Sequence, residues 1–463
     1  MQQYPLKKEV ATVWHFSTPA CNHALMNKIL ASITRQNIFS EKWTASCGSK
    51  LGIIFMEGFT DYENIISFLQ FQVKGRGHRV CVLNLAHDIF ESDYKIKILK
   101  YGAEYFFERS FLEEQYDLLV ERMNRWLTIE RLLNSPIIKS RIASKSIATT
   151  SMLRSVIEVA FFSQNNVLIL GERGVGKEQI AYIIHELDSR KEKGDLVILD
   201  CTTLKKELSG SELFGHEKGS FTGADSSREG AVALAHKGSF FLDEITELPL
   251  NLQAEFLRVV QEGAYKKVGS NIWRYAQFRL ISASNRTMEE MMSAGEFRLD
   301  LLDRIGATVI YVPGLNERKE DIPAIIDYYL KKNFGDQFPV IEKEVYDSLC
   351  SRSYPGNIRE LKNILSNICL HYSGKGPITL GDMSETDIQF RPITQVKWYE
   401  KNELIDIINQ AIEEGYELKK IEEIVQSVAT KITLQKVGKN KEASKILGKS
   451  ERWIQMQKIK GKE

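Results

Sequence analysis

The segment VLILGERGVGKEQIAYIIHEL, residues 167–187, constrains this chain more than any other. An apolar run leads directly into Gly171, Gly174, Gly176 and Lys177, and helical spacing follows without a break. A strand, a glycine loop and a helix in that order commit the region to an α/β architecture with a parallel sheet. The glycines let backbone N–H groups curl around phosphate oxygens. The helix N-terminus adds the positive end of its dipole, and Lys177 adds a point charge. The motif usually continues with Ser or Thr as a magnesium ligand, whereas Glu178 stands here. The strand–loop–helix context makes this a nucleotide-phosphate site.

A chain of 463 residues has room for several domains, and 43% hydrophobic with 27% charged residues is ordinary for a well-buried globular protein. A net charge of +1 rules out a global basic field, so any nucleic-acid contact comes from a local patch. Six Cys without a CxxC pair argue against a zinc or disulfide framework. No apolar run reaches ~18 residues, so a cytoplasmic protein with no membrane span is expected. Residues 1–126 alternate GIIFM and RVCVLNL, read as strands, with YENIISFLQFQV at helical spacing, and form a small α/β domain. A linker helix covers 127–142. Strands NVLIL, LVILD, SFFLD and FRLISAS fill 143–316, and 317–383 turns helical. A linker (384–400) and a helical, lysine-rich segment (401–463) complete the chain.

GSFFLDEI ends a strand in two carboxylates. Asp243 suits magnesium and Glu244 suits a base that polarises water. A helix N-cap pair is the alternative. SASNR places Ser284 and Asn285 at another strand end, either sensing a γ-phosphate or capping a loop. Arg298 and Arg304 sit six residues apart beside Asp300 and Asp303. They read as arginines reaching a γ-phosphate from a neighbouring subunit, or as solvated salt bridges on a helix face. Arg359 in YPGNIRELKN is a further phosphate contact. ELFGHEKGSFTGADSSREGA, residues 212–231, sets Gly, Ser and Thr around Phe221, which suits an exposed loop that touches another macromolecule or an ordinary surface turn.

Together these residues resemble the AAA+ domain of the bacterial activators of sigma-54 RNA polymerase, over about 143–383. GERGVGKE (Gly171, Glu172, Arg173, Gly174, Val175, Gly176, Lys177, Glu178) resembles the family's Walker A, which also carries Glu after the Lys. GSFFLDEI resembles Walker B, FRLDLLDRI the arginine-finger segment and YPGNIRELKN sensor II. ELFGHEKGSFTGA is the most specific element. The resemblance implies that Gly219, Ser220, Phe221, Thr222, Gly223 and Ala224 move with nucleotide state and touch sigma-54, with Phe221 and Thr222 in contact. It implies ATP and Mg2+ as cofactors, a homo-oligomer from dimer to hexameric ring, and upstream double-stranded DNA as a partner. Family members usually carry Asn where Asp200 stands. That Asn is thought to restrain the Walker B glutamate, and Asp200 beside Glu244 would repel it or share a proton instead. A DNA-binding repressor or anti-activator with a vestigial ATPase is the alternative function.

YGAEYFFERSF aligns with the end of a response-regulator receiver, with Arg109 in place of the usual Lys. The strand ATVWHFS ends without paired aspartates, and GIIFMEG offers only Glu57 at the acceptor's place. The expectation is a receiver-like α/β sandwich without phospho-acceptor chemistry, or another small α/β sensor. The tail resembles a Fis-type helix-turn-helix through Asn440, Ala443, Leu447, Gly448 and Ser450. Arg452, Gln455 and Gln457 would face the groove, and Lys439, Lys441, Lys445, Lys449 and Lys458 would meet phosphates. Trp453 is expected to pack. The fold class is therefore multidomain: a receiver-like sandwich, an AAA+ P-loop domain with a helical lid, and an all-α helix-turn-helix.

Overall fold

The computed structural model describes residues 11–460 apart from 19, 20, 22, 45, 46, 48, 115, 191, 205–207, 294, 296, 389–406, 410, 413, 414, 438 and 439. The chain divides into two compact units, one of Met1–Cys350 with Tyr354–Ser384, the other of Ser351–Ser353 with Glu385–Glu463.

The first unit opens with β1 (Ala11–Ser17), β2 (Ile38–Lys42), β3 (Leu51–Met56), β4 (Arg79–Asn84) and β5 (Tyr105–Phe107), all parallel in the order β2-β1-β3-β4-β5. β3 and β4 are buried at every position, as continuous apolar runs in a doubly covered parallel sheet require. The helix expected over 62–73 is regular only to Phe68. Leu69–Val73 form a π turn, with Lys74 N–H reaching back five residues to the Leu69 carbonyl at 2.8 Å. The helix Tyr116–Leu133 serves two cores. Leu119, Met123 and Trp126 pack with Phe107, and Ile129 packs with Val167 and Ile183. The boundary expected at 126 therefore lies inside a continuous helix.

The second sheet uses β6 (Val167–Leu170) and β7 (Leu196–Asp200). A short ladder of β8 (Gly215–His216) and β9 (Arg228–Glu229) follows, then β10 (Ser239–Asp243). A second ladder, β11 (Ala264–Tyr265) with β12 (Arg274–Tyr275), precedes β13 (Arg279–Ser284) and β14 (Thr308–Tyr311). The sheet order is β14-β6-β13-β10-β7, all parallel. β6, β13 and β10 thus end side by side, each followed by a loop that carries polar residues. Helices Ile322–Phe334, Lys343–Ser351 and Asn357–His371 form the lid around Leu315, Ile326, Tyr354 and Leu361.

In the second unit, helices Leu418–Val437, Asn440–Leu447 and Glu451–Lys460 follow one another. Ala443 and Ile454 are fully buried. Gly448 takes φ +62° at the turn, and the Ser450 hydroxyl accepts the Trp453 N–H at 3.2 Å, capping the last helix. Among the described residues, no helix is long and apolar enough to cross a membrane.

Candidate functional site

Gly174 and Gly176 take φ +79° and +103°, which turn the loop after β6 into the helix Lys177–Leu187. A Cβ at Gly174 would sit 2.4 Å from the Gly356 carbonyl oxygen, so only glycine lets the lid come this close. Lys177 is buried, and its ammonium donates to the Gly171 carbonyl at 2.9 Å and meets Glu244 Oε1 at 3.3 Å. The loop opens on a cleft of about 620 Å3 lined by Arg173, Lys177, Asp243, Glu244 and Arg359 among others.

β10 delivers the two carboxylates. Glu244 adopts the left-handed conformation at φ +49°, which is strained for a side chain of its size. Its Oε2 accepts the Asn285 N–H at 3.0 Å, so Lys177 and the end of β13 fix it from two sides. Burial holds the Asp243 carboxyl above its usual range. The nearby Glu244 and Asp200 push it further up, against the pull of Lys177. Asp200 stands directly across from Asp243 in the parallel pairing of β7 and β10. Its Oδ1 accepts the Thr202 N–H at 2.9 Å and the Thr202 hydroxyl at 2.7 Å. Asp200, expected to repel Glu244 or share a proton with it, acts by its charge on Asp243.

Glu178 joins the cleft lining, and Asn285 acts through its main chain. The Ser284 hydroxyl is buried, lies 3.4 Å from the Thr246 hydroxyl and accepts the Arg286 N–H at 3.0 Å. Arg298 is exposed and forms a two-point pair with Asp300 at 2.7 and 3.0 Å. Arg304 is exposed too, and neither arginine lines this chain's own cleft. Sequence reasoning passed over Lys362, one helical turn beyond Arg359, whose ammonium burial depresses. It also passed over Asn357 and Arg318, whose roles depend on tertiary partners.

The loop Gly219–Ala224 rises from the β8–β9 ladder. Gly219 N–H donates to the Ala224 carbonyl at 2.8 Å, and Gly219 and Gly223 take φ +80° and +98°. Thr222 is exposed. Phe221, expected to be exposed, is half-buried, with its ring 5.0 Å from that of His216. In the second unit Arg452, Gln455 and Lys449 are exposed, and Lys449 lies over the Trp453 ring at 5.6 Å. Lys439 lies outside the described residues, as do the side chains of Lys441 and Gln457.

A glycine loop, two strand-end carboxylates and a helical lid define a nucleotide-binding AAA+ ATPase module. Residues 142–311 match the model of the sigma-54 interaction domain, and 316–395 match that of the AAA+ ATPase lid domain. This central region therefore carries a sigma-54 interaction domain followed by an AAA+ lid domain. It is 42% identical over 220 residues to the signal-transduction and transcriptional-control protein of Clostridium beijerinckii, covering 47% of this chain and 35% of that one. It is 42% identical over 226 residues to the Nif-specific regulatory protein of Bradyrhizobium diazoefficiens (48% and 38%). It is 35% identical over 294 residues to the regulatory protein AtoC of Escherichia coli (61% and 63%). The matched segments span less than two thirds of each of these relatives.

Proposed function

We propose that this chain is an ATP-driven transcription activator that remodels sigma-54 RNA polymerase. The observation that carries the reading is a phosphate cleft and the loop GSFTGA in one compact unit. Lys177 would neutralise phosphate oxygens, and Arg359 would add charge from the lid. Glu244, fixed by Lys177 and the Asn285 N–H, would polarise the attacking water.

Among the described residues no three of His, Cys, Asp and Glu form a ready metal site. Carboxylates gathered at a half-buried strand end nevertheless fit a divalent cation, which phosphate oxygens and water would complete. Asp243 would hold magnesium, which supplies charge neutralisation when bound. Arg298 and Arg304, which do not line their own chain's cleft, would serve a neighbouring subunit in a ring.

The sheet order of residues 11–107 is the one that receivers share with flavodoxin. Arg109 donates to the Leu85 carbonyl at 3.0 Å and pairs with Glu113, which supports a receiver-like domain with altered chemistry. Arg452 and Gln455 on the capped last helix, with Lys449 in the turn before it, would meet upstream DNA. The second reading, a regulator whose ATPase is uncoupled, draws on Asp200 being turned to Thr202. The test is binding of purified sigma-54 in the presence of ADP and aluminium fluoride. The intact chain should bind, and Thr222→Ala should bind about tenfold more weakly or less. Equal binding by the variant would remove the loop from the contact.

A further inference from the structure

The nucleotide loop and the lid meet through an unusual run of hydrogen bonds. Three consecutive carbonyls of the loop each accept from a lid group. The Arg173 carbonyl accepts from Asn357 Nδ2 at 3.1 Å. The Gly174 carbonyl accepts from the Arg359 N–H at 3.3 Å. The Val175 carbonyl accepts from Arg318 Nη2 at 3.1 Å.

A phosphate nest works by turning successive N–H groups inward, which requires the carbonyls between them to turn outward. Outward carbonyls need partners when water is excluded. Here the lid supplies all three.

Asn357 is the centre of this arrangement. It is fully buried, and it is a non-glycine residue at φ +55°. A buried residue held in that conformation persists only where its surroundings over-determine it. The surroundings do so here. Beyond its bond to Arg173, Nδ2 donates to Glu172 Oε2 at 2.8 Å, and Oδ1 accepts the Leu315 N–H at 2.6 Å. One amide therefore ties the start of the lid, the sensor II helix and the phosphate loop together. Arg318, also buried, braces the other side by donating to the Thr149 hydroxyl at 3.2 Å.

We propose that Asn357 is a positioning residue for nucleotide binding: it uses the lid as a template that holds the phosphate loop with its N–H groups inward. It touches the loop and not the nucleotide, so it acts through Arg173 and Glu172. The proposal rests on the nucleotide reading of the cleft, not on the sigma-54 reading of the loop.

A pre-formed nest favours every nucleotide that places phosphates in it. Its loss is a loss of uniform binding, which raises KM and leaves kcat nearly alone. The test is the affinity of the full chain for ATP and for ADP, each by titration calorimetry, with ATPase kinetics beside them. Asn357→Gly is the first variant, because glycine takes φ +55° without strain and loses only the amide. Both affinities should fall by the same factor, about tenfold, with kcat within about twofold. Asn357→Asp keeps an acceptor for Leu315 but loses the donor and faces Glu172, and it should lose at least as much.

Unchanged affinities in Asn357→Gly would overturn the proposal, leaving Asn357 as a turn residue only. A loss confined to kcat would overturn it as well. Failure of the intact chain to open promoter complexes would break the proposed function while leaving these equilibria intact.

Discussion

The described residues form two parallel sheets of five strands, and their carboxyl ends have opposite characters. At the ends of β6, β7 and β10 the polar groups face a cleft: Lys177, Asp200, Asp243 and Glu244 line open space. At the ends of β1, β3 and β4 the polar groups answer one another. The Thr18 hydroxyl donates to Asp61, which also accepts the Glu57 N–H at 2.8 Å. Asn84 accepts the Gly58 N–H at 3.0 Å and donates to the Asp88 carbonyl at 2.9 Å. Thr18 and Asp61 are buried. Two sheets of related winding thus put the same class of side chain to different uses, and the site rather than the fold sets the chemistry.

Breaking the open site should have the largest effect. Gly174→Ala forces a Cβ to 2.4 Å from the Gly356 carbonyl oxygen at a φ that alanine resists. ATP hydrolysis should fall about a hundredfold or more, measured as steady-state phosphate release. Near-normal turnover would show that the lid moves freely from the loop.

The pH profile sharpens the comparison at intermediate cost. Asp243 is raised by burial first and by Glu244 and Asp200 after that. In its proposed role of holding magnesium Asp243 would act ionised, so acidification should cut the rate above the ordinary aspartate range of about 3.9. Asp200→Asn removes one of the charges that raise Asp243. The acid limb of the ATPase profile should then move to lower pH, and the rate at neutral pH should change. An unmoved limb and an unchanged rate would separate Asp200 from the site.

The closed end should give the smallest effect on turnover. Thr18→Val leaves Asp61 without a hydroxyl donor and should destabilise the N-terminal domain by about 1–3 kcal/mol in denaturant unfolding, with the ATPase rate unchanged. A small phosphodonor with magnesium should leave residues 11–126 unlabelled. Stoichiometric label there would contradict a domain without phospho-acceptor chemistry.

The contrast also explains what the sequence made legible. The phosphate loop, β10 and the loop at 219–224 are local, since each needs only neighbouring residues to state its chemistry. β2 and β14 passed unnoticed because edge strands bury only part of their length. IFSEK and TVIY each bury one residue fully. The π turn at Leu69–Val73 has no local signature beyond ordinary apolar spacing. The neighbours of Asp200 depend on strand register, which pairs it with Asp243 rather than Glu244. Asn357 drew no reading of its own within YPGNIRELKN, because its meaning lies in partners at Glu172, Arg173 and Leu315, far away along the chain.

The central claim is that nucleotide turnover in the cleft acts on polymerase through the loop. Open-complex formation on a sigma-54 promoter, with ATP hydrolysis followed in the same reaction, tests it most directly. The intact chain should hydrolyse ATP and open the promoter, while Thr222→Ala should hydrolyse ATP and open none. Promoter opening by Thr222→Ala at the intact rate, with equal hydrolysis, would contradict the account.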